Sequence, residues 1–236
     1  MNPQRMTLSI LIPTFNEERT IERLIRRLLA TPFPVDYELV IVDDHSGDRT
    51  FAIEQRLHRL VDRVRMAVIR HPANRGKGAC IREGLKHATG EFVIVQDGDL
   101  EYKPREIPRL LTPLLEGRAE VVYGSRFLSR RWPSGMALAN CVANYLLRWL
   151  VNGLYGVRLT DPMTCYKVMP RRLLQRLDLR ARRFECETEI TAKLARQGVR
   201  ITELPIAYHG RTRREGKKIR ARDFFLNVWT LLRCRC

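Results

Sequence analysis

Short apolar runs punctuate the first half of the chain, and between them apolar positions recur every three or four residues. Leu8–Ile12, Leu39–Val42, the stretch near Val64–Ile69, Phe92–Val95 and Val121–Tyr123 have the length and β-branched content of buried strands. Ile21, Leu24, Ile25, Leu28 and Leu29 share one helical face. Asn16 is the expected N-cap of that helix, with Glu17 and Glu18 in a first turn where the dipole favours anions. Thr31-Pro32-Phe33-Pro34 is its expected stop. Further helices are predicted from about Thr50 to Leu60, from Asn74-Arg75-Gly76-Lys77-Gly78 to about Ala88, and from Pro104 onward. Strands alternating with helices predict an α/β fold: a doubly wound, mainly parallel sheet with right-handed crossovers.

Polar residues gather where the runs stop. The first gives way to Pro13 and, a few residues on, Glu17; the second ends in Asp43-Asp44; the fourth ends in Asp97, Asp99 and Glu101 at alternate positions. Hard divalent cations such as Mg²⁺ or Mn²⁺ take oxygen ligands, and Mg²⁺ is usually held by one or two carboxylates plus substrate phosphates. A single acidic loop is an ordinary solvated turn. Three on one sheet edge, where open α/β sheets bind ligands, read as a site. Asn74–Gly78 resembles part of a phosphate-binding loop but lacks the full spacing of one.

Composition adds one unusual number, a net charge of +17 on 236 residues. From Arg158 to Cys236 there are 20 Lys and Arg against 8 Asp and Glu, so +12 of the +17 lies in the last third. Such a surface suits nucleic acid, anionic lipid or phosphorylated ligands, and charge alone does not choose among them. The six cysteines lack paired spacing, which argues against zinc and a disulfide framework and for reduced thiols in a cytosolic compartment. The first apolar run is too short for a signal peptide, and the terminal Cys-Arg-Cys does not fit the prenylation pattern. His58, His71, His87 and His209 lack metal-ligand spacing, so surface or core roles are expected of them.

Five motifs carry a resemblance: Ile12 to Glu18, Val42 to Thr50, Asn74 to Gly78, Gln96 to Glu101, and Tyr123 to Phe127. In order and spacing they resemble the successive signatures of family 2 glycosyltransferases. The closest branch is the dolichyl-phosphate mannosyltransferase-like one, which makes polyprenyl-phosphate sugars. The resemblance continues through Thr160 to Lys167 and Arg211 to Lys218. Gly98 replaces an alanine often seen between the two aspartates, and Cys165 stands where some members carry glycine. Members with long C-terminal transmembrane helices differ, since this sequence ends at Cys236 without one.

The resemblance implies a nucleotide-binding sheet of the glycosyltransferase A type with C-terminal interfacial helices. It makes 1–134 the nucleotide-sugar core and 135–236 the acceptor and membrane-interface part of one catalytic domain. Pro13, Phe15, Glu17, Val42, Asp44, Asp97 and Gly98 are the implied nucleotide-sugar contacts, joined by Asp99, Arg126, Arg211 and Lys217. Asp99 and Glu101 are the implied ligands of Mg²⁺ or Mn²⁺, and Asp99 and Arg126 the implied catalytic pair. Arg126, Arg130 and Arg131 are the implied acceptor-phosphate cations. A sugar hydroxyl acceptor needs a positioned base. A lipid phosphate, with a second pKa of about 6, is already largely dianionic at neutral pH and needs cations to hold it. The implied reaction is therefore transfer of a hexose, with inversion, from a GDP-mannose or UDP-glucose type donor to a dolichyl or undecaprenyl phosphate.

Two alternatives stand beside it. Transfer to a saccharide hydroxyl in a cell-envelope polysaccharide would require Glu187 or another carboxylate to serve as base. A basic nucleic-acid-binding protein would use the charged last third, but no helix-turn-helix, zinc-finger or RNP signature is present, so no nucleic-acid partner is expected. Residues 135–157 hold too many polar groups to span a bilayer and read as an amphipathic helix in the lipid interface, Leu147 and Val151 on its lipid face. Val228, Trp229, Leu231 and Leu232 read as a second such helix. The expected location is peripheral, on the cytoplasmic face of an anionic membrane, with a membrane-protein partner that uses the product.

Overall fold

The computed structural model describes residues 7–211 and 221–235. Lys217 lies outside the described residues. The elements run β1 (Thr7–Thr14), α1 (Ile21–Leu29), β2 (Asp36–Asp43), α2 (Thr50–Leu60), β3 (Arg65–Arg70), α3 (Lys77–His87) and β4 (Phe92–Val95). A single 3₁₀ turn (Pro104–Glu106) leads into α4 (Ile107–Leu115), followed by β5 (Val121–Ser125), α5 (Leu138–Tyr155), β6 (Lys167–Pro170), α6 (Arg171–Arg176), α7 (Cys186–Arg196), β7 (Ile201–Pro205) and α8 (Ala221–Arg235).

The seven strands form one sheet in the order β3-β2-β1-β4-β6-β5-β7. β3, β2, β1 and β4 are mutually parallel, and β5 runs parallel to β7. β6 is antiparallel to both β4 and β5. The sheet is thus mainly parallel with one reversed strand at its middle. Its core strands are continuous apolar runs because helices cover both faces. Leu8, Ile10, Ile12, Leu39, Ile41, Val93 and Ile94 are all fully buried. β5, before residue 134, pairs with β6 and β7, after it, so the sheet is continuous across that position.

Two local expectations are corrected. Asn16 does not cap α1, which begins at Ile21 with Thr20 at its N-cap. Asn16 instead adopts a left-handed conformation (φ 51°), its side-chain oxygen accepting the Gly47 N–H at 2.9 Å. That ties the end of β1 to the loop after β2, and the Glu17 carbonyl accepts the Thr20 and Ile21 N–H groups to start the helix later. Second, Leu147 and Val151 do not face outward. They are buried in a small satellite core with Ala192, Leu231 and Cys234, where α5 packs on α7 and α8. The outward stripe of α5 is Leu138, Val142, Leu146 and Trp149; that of α8 is Phe225, Trp229 and Leu232, so Leu231 also moves inside.

The Asn74–Gly78 loop is packed against protein. Gly76 (φ 91°) and Gly78 would each place a Cβ 2.4 Å from a carbonyl oxygen, of Arg182 and Ala181 respectively. Only glycine permits that approach and the left-handed φ of Gly76. The contact presses the first residue of α3, Lys77, inward under the sheet edge.

Candidate functional site

The carboxyl ends of β1, β2 and β4 lie side by side, so residues 13–17, 43–50 and 96–101 meet above one sheet edge. The Glu17 backbone N–H donates to Thr50 Oγ1 at 2.7 Å. Gly98 lies under the β1 exit: a Cβ there would stand 2.9 Å from Thr14 Cγ2 and 3.3 Å from the Pro13 carbonyl, and its carbonyl accepts the Thr20 hydroxyl at 3.1 Å. Pro13 and Phe15 are half-buried beside it, while Val42 is buried in the sheet.

Asp44 is 3% exposed and turned toward the next loop. Its Oδ1 accepts the Arg75 N–H at 2.8 Å and the His71 ring N–H at 2.9 Å, and its Oδ2 accepts the Gly76 N–H at 2.7 Å. The carboxylate therefore fixes the loop that carries Lys77.

Two internal cations meet the acids at the end of β4. Lys77 Nζ stands 2.6 Å from Asp97 Oδ1 and 2.9 Å from Glu187 Oε1, in the first turn of α7. Lys167 Nζ, at the start of β6, closes the other Glu187 oxygen at 2.6 Å. Arg211 reaches Glu17 with both terminal nitrogens, at 3.0 and 3.1 Å, and Asp99 Oδ2 at 2.6 Å. Its own N–H donates to Glu101 Oε1 at 2.7 Å, while the Tyr208 hydroxyl donates to Glu101 Oε2 at 2.6 Å. Burial and the neighbouring Asp97 charge push the Asp99 carboxyl up to about 7, against the pull of Arg211. Burial acts the same way on Asp97, but Lys77 overcomes it and holds that carboxyl below its usual value.

Arg126 follows β5 and is 8% exposed. Its Nε and Nη2 grip the two oxygens of Asp161 at 2.7 Å each, and Nη2 also reaches Asn144 of α5 at 3.2 Å. The guanidinium lies over the Tyr208 ring at 5.3 Å. Arg126 is thus close to the aromatic wall of the site, with its charge balanced by Asp161. Arg130 and Arg131 are exposed, on a loop tied to α5 by the Tyr145 hydroxyl and the Arg131 carbonyl at 2.9 Å.

The acids suit a hard divalent cation: Glu17, Asp97, Asp99 and Glu101 supply only oxygen donors, and the cluster already holds a positive group at its centre. Asp97 has the most exposed side chain of the four, while Asp99 and Glu101 are held by Arg211 and Tyr208. Among the described residues, the one group of three metal-ligand side chains within 4.8 Å is elsewhere: Asp44, His71 and Cys80. There the Asp44 oxygens are taken by backbone N–H groups and His71, and burial holds the Cys80 thiol well above its usual value, so the trio is a hydrogen-bond knot.

Sequence reasoning did not single out Lys77, Lys167, Asp161 or Tyr208. Lys77, Asp161 and Lys167 sit within the quoted motifs, so their positions were visible but their partners were not. Tyr208 is brought in only by the segment after β7.

The family model described as Glycosyl transferase family 2 matches residues 9–177. The chain is 27% identical over 216 residues to the dolichol-phosphate mannosyltransferase of Pyrococcus furiosus, covering 90% of this chain and 59% of that protein. It is 27% identical over 214 residues to the dodecaprenyl-phosphate galacturonate synthase of Rhizobium johnstonii, covering 88% and 60%. The chain thus spans about three-fifths of the length of these two relatives. In fold it is similar to the glucosyl-3-phosphoglycerate synthase of Mycobacterium tuberculosis solved with Mn²⁺, UDP-glucose and phosphoglyceric acid. That likeness has a TM-score of 0.73 and 20% identity, and covers 98% of this chain and 80% of that one.

Proposed function

The chain belongs to glycosyl transferase family 2 and has the glycosyltransferase A fold, and on that premise we propose that it transfers a hexose from a nucleotide sugar to a polyprenyl phosphate, with inversion. The observation that carries this reading is Glu187. A hydroxyl acceptor needs a base with a free oxygen facing the substrate. Each Glu187 oxygen faces an ammonium group instead, Lys77 at 2.9 Å and Lys167 at 2.6 Å. The carboxylate named for the saccharide reading is thus ion-paired on both sides, hydrogen-bonded through Oε2 only, and an already ionised phosphate acceptor has no use for a base. The names of these two relatives both describe polyprenol-phosphate sugar chemistry, which favours the same acceptor.

In this reading the donor lies across the β1, β2 and β4 exits, over Phe15, Glu17 and Gly98. Asp99 and Glu101 would hold the divalent cation, which when bound neutralises the leaving nucleoside diphosphate. Asp97 is kept ionised and oriented by Lys77. Arg126, locked by Asp161 and Asn144, shapes the wall between donor site and α5, and Arg130 and Arg131 are the exposed cations that meet the acceptor phosphate. Residues 1–134 serve mainly the donor and 135–236 mainly the acceptor, with Arg130 and Arg131 reaching the acceptor from the first part and Arg211 the donor site from the second.

The acceptor's lipid places the reaction at a membrane. An apolar groove of about 580 Å³ runs between α5 and α8, lined by Leu138, Ala139, Val142, Ala143, Leu146 and Phe224. Trp132, Trp149 and Trp229 are half or more exposed around it, as interfacial tryptophans are. No described helix is long and apolar enough to cross a membrane. Peripheral binding to an anionic cytoplasmic leaflet, with a membrane-protein partner that uses the product, fits that surface and the +17 charge.

The test is a panel of labelled GDP- and UDP-sugars with Mg²⁺ or Mn²⁺ and vesicles carrying polyprenyl phosphate. Label should move into the lipid phase with one donor. No lipid product from any donor overturns the proposal.

A further inference from the structure

Arg211 places a permanent cation on the oxygens that the divalent ion would use. Its Nη2 is 2.6 Å from Asp99 Oδ2, and its backbone N–H occupies one oxygen of Glu101 at 2.7 Å. The same guanidinium spans to Glu17, on a different strand exit, with two more hydrogen bonds. Mg²⁺ needs ligand oxygens at about 2.0–2.1 Å in near-octahedral array. An ion seated that way on Asp99 meets the guanidinium on the same carboxylate, and like charges at such range repel strongly. The two cations compete.

The anchoring of Arg211 differs from that of Lys77. Lys77 starts α3, behind glycines wedged against the 181–182 backbone, and its ammonium group is enclosed by Asp97, Glu187 and Cys165. Residue 211 is also tethered through its neighbours: the His209 N–H donates to the Glu101 carbonyl at 3.0 Å, the Gly210 N–H to the Ser134 carbonyl at 2.9 Å, and the Tyr208 hydroxyl and Arg211 N–H to the Glu101 carboxylate. That tether keeps residue 211 at the site whatever its side chain does. A planar guanidinium is well matched to phosphate oxygens, so a diphosphate arriving with the metal offers it a new partner a short swing away.

We propose that Arg211 is a specificity-determining gate on the metal site: it excludes free divalent ions and gives way to a metal carried in on a nucleoside diphosphate. The gate rests on the reading of the site as a metal–nucleotide site, and acts by charge. Metal binding without nucleotide is weak, and nucleotide makes it strong because it takes over the guanidinium.

The experiment counts bound Mn²⁺ from the loss of its free-ion paramagnetic resonance signal, for the wild type, Arg211→Gln and Arg211→Lys. Each is titrated alone and with saturating UDP or GDP. The expected result is that Arg211→Gln binds Mn²⁺ alone at least ten-fold more tightly than the wild type, while Arg211→Lys, which keeps a cation, does not. The wild type tightens sharply with nucleotide and Arg211→Gln much less. If Arg211→Gln alone binds no more tightly than the wild type while nucleotide-dependent binding persists, the gate is overturned and the site reading stands. If no form binds Mn²⁺ even with either nucleotide, the metal–nucleotide reading falls and the gate with it.

Discussion

Lys77 and Glu187 form a buried ion pair across the sheet edge, Nζ to Oε1 at 2.9 Å, from the first turns of α3 and α7. Lys167 makes it a triad. A carboxylate between two buried ammonium groups is a structural element first: removing it leaves two charges without their shared partner.

Glu187→Gln should therefore lower unfolding free energy by about 3 kcal/mol, the scale for breaking a buried pair. Urea denaturation monitored by tryptophan fluorescence gives the number. A variant of unchanged stability whose turnover falls a hundred-fold would instead identify Glu187 as a base.

The membrane face gives a paired prediction. Leu146→Glu with Trp149→Glu puts two charges on the exposed stripe of α5 and should cut sedimentation with anionic vesicles at least several-fold, leaving the thermal midpoint near the wild type. Leu147→Glu, one residue away but 5% exposed, should destabilise the fold. Equal vesicle binding by the wild type and the double variant at low salt contradicts the assignment.

Four of the five apolar runs were legible as strands because they are buried and read without alternation; β3, an edge strand in which only Met66 is buried, was legible from its apolar and β-branched content. β6 and β7 were not. β6 spans four residues and opens on Lys167, whose charge is met by Glu187 twenty residues on; β7 is half-buried and carries Glu203, which accepts the Thr160 and Asp161 N–H groups. Both strands owe their place to partners distant in sequence. The acids of the site were legible for the converse reason: they sit on local strand-end motifs. The inward turn of Leu147 and Val151 was hidden because both faces of α5 are apolar, and only its packing on α7 and α8 separates the lipid stripe from the core stripe.

Stability should depend on pH through Glu54. Burial pushes its carboxyl up to about 8, against the pull of the Thr14 hydroxyl, with Asp43 and Asp48 adding to the rise. A raised carboxyl pKa means that the folded state keeps a proton the unfolded chain releases. Its contribution is fully present below about 4.5 and is lost as pH rises toward 8. Glu54→Gln, neutral at every pH, should match the wild type near pH 4.5 and exceed it by a few kcal/mol at pH 8, at about 1.4 kcal/mol per pH unit of difference. Thermal unfolding across that range checks it; a gap independent of pH contradicts it.

Asp99→Ala should abolish transfer, by about three orders of magnitude or more, with no large loss of stability. Removing its carboxyl relieves the crowding by burial and Asp97, and although the 2.6 Å bond to Arg211 is lost, Arg211 keeps its two bonds to Glu17. The checks are the initial rate and the thermal midpoint. Full activity of the variant in the presence of chelator contradicts the metal assignment.

The most direct measurement offers the protein one labelled nucleotide sugar with two acceptors in identical vesicles, polyprenyl phosphate and the matching free polyprenol. The account predicts lipid-linked product from the phosphate alone, since Glu187 is held between Lys77 and Lys167 and the phosphate brings its own negative oxygen. Comparable product from the free alcohol would contradict it and give the site a catalytic base.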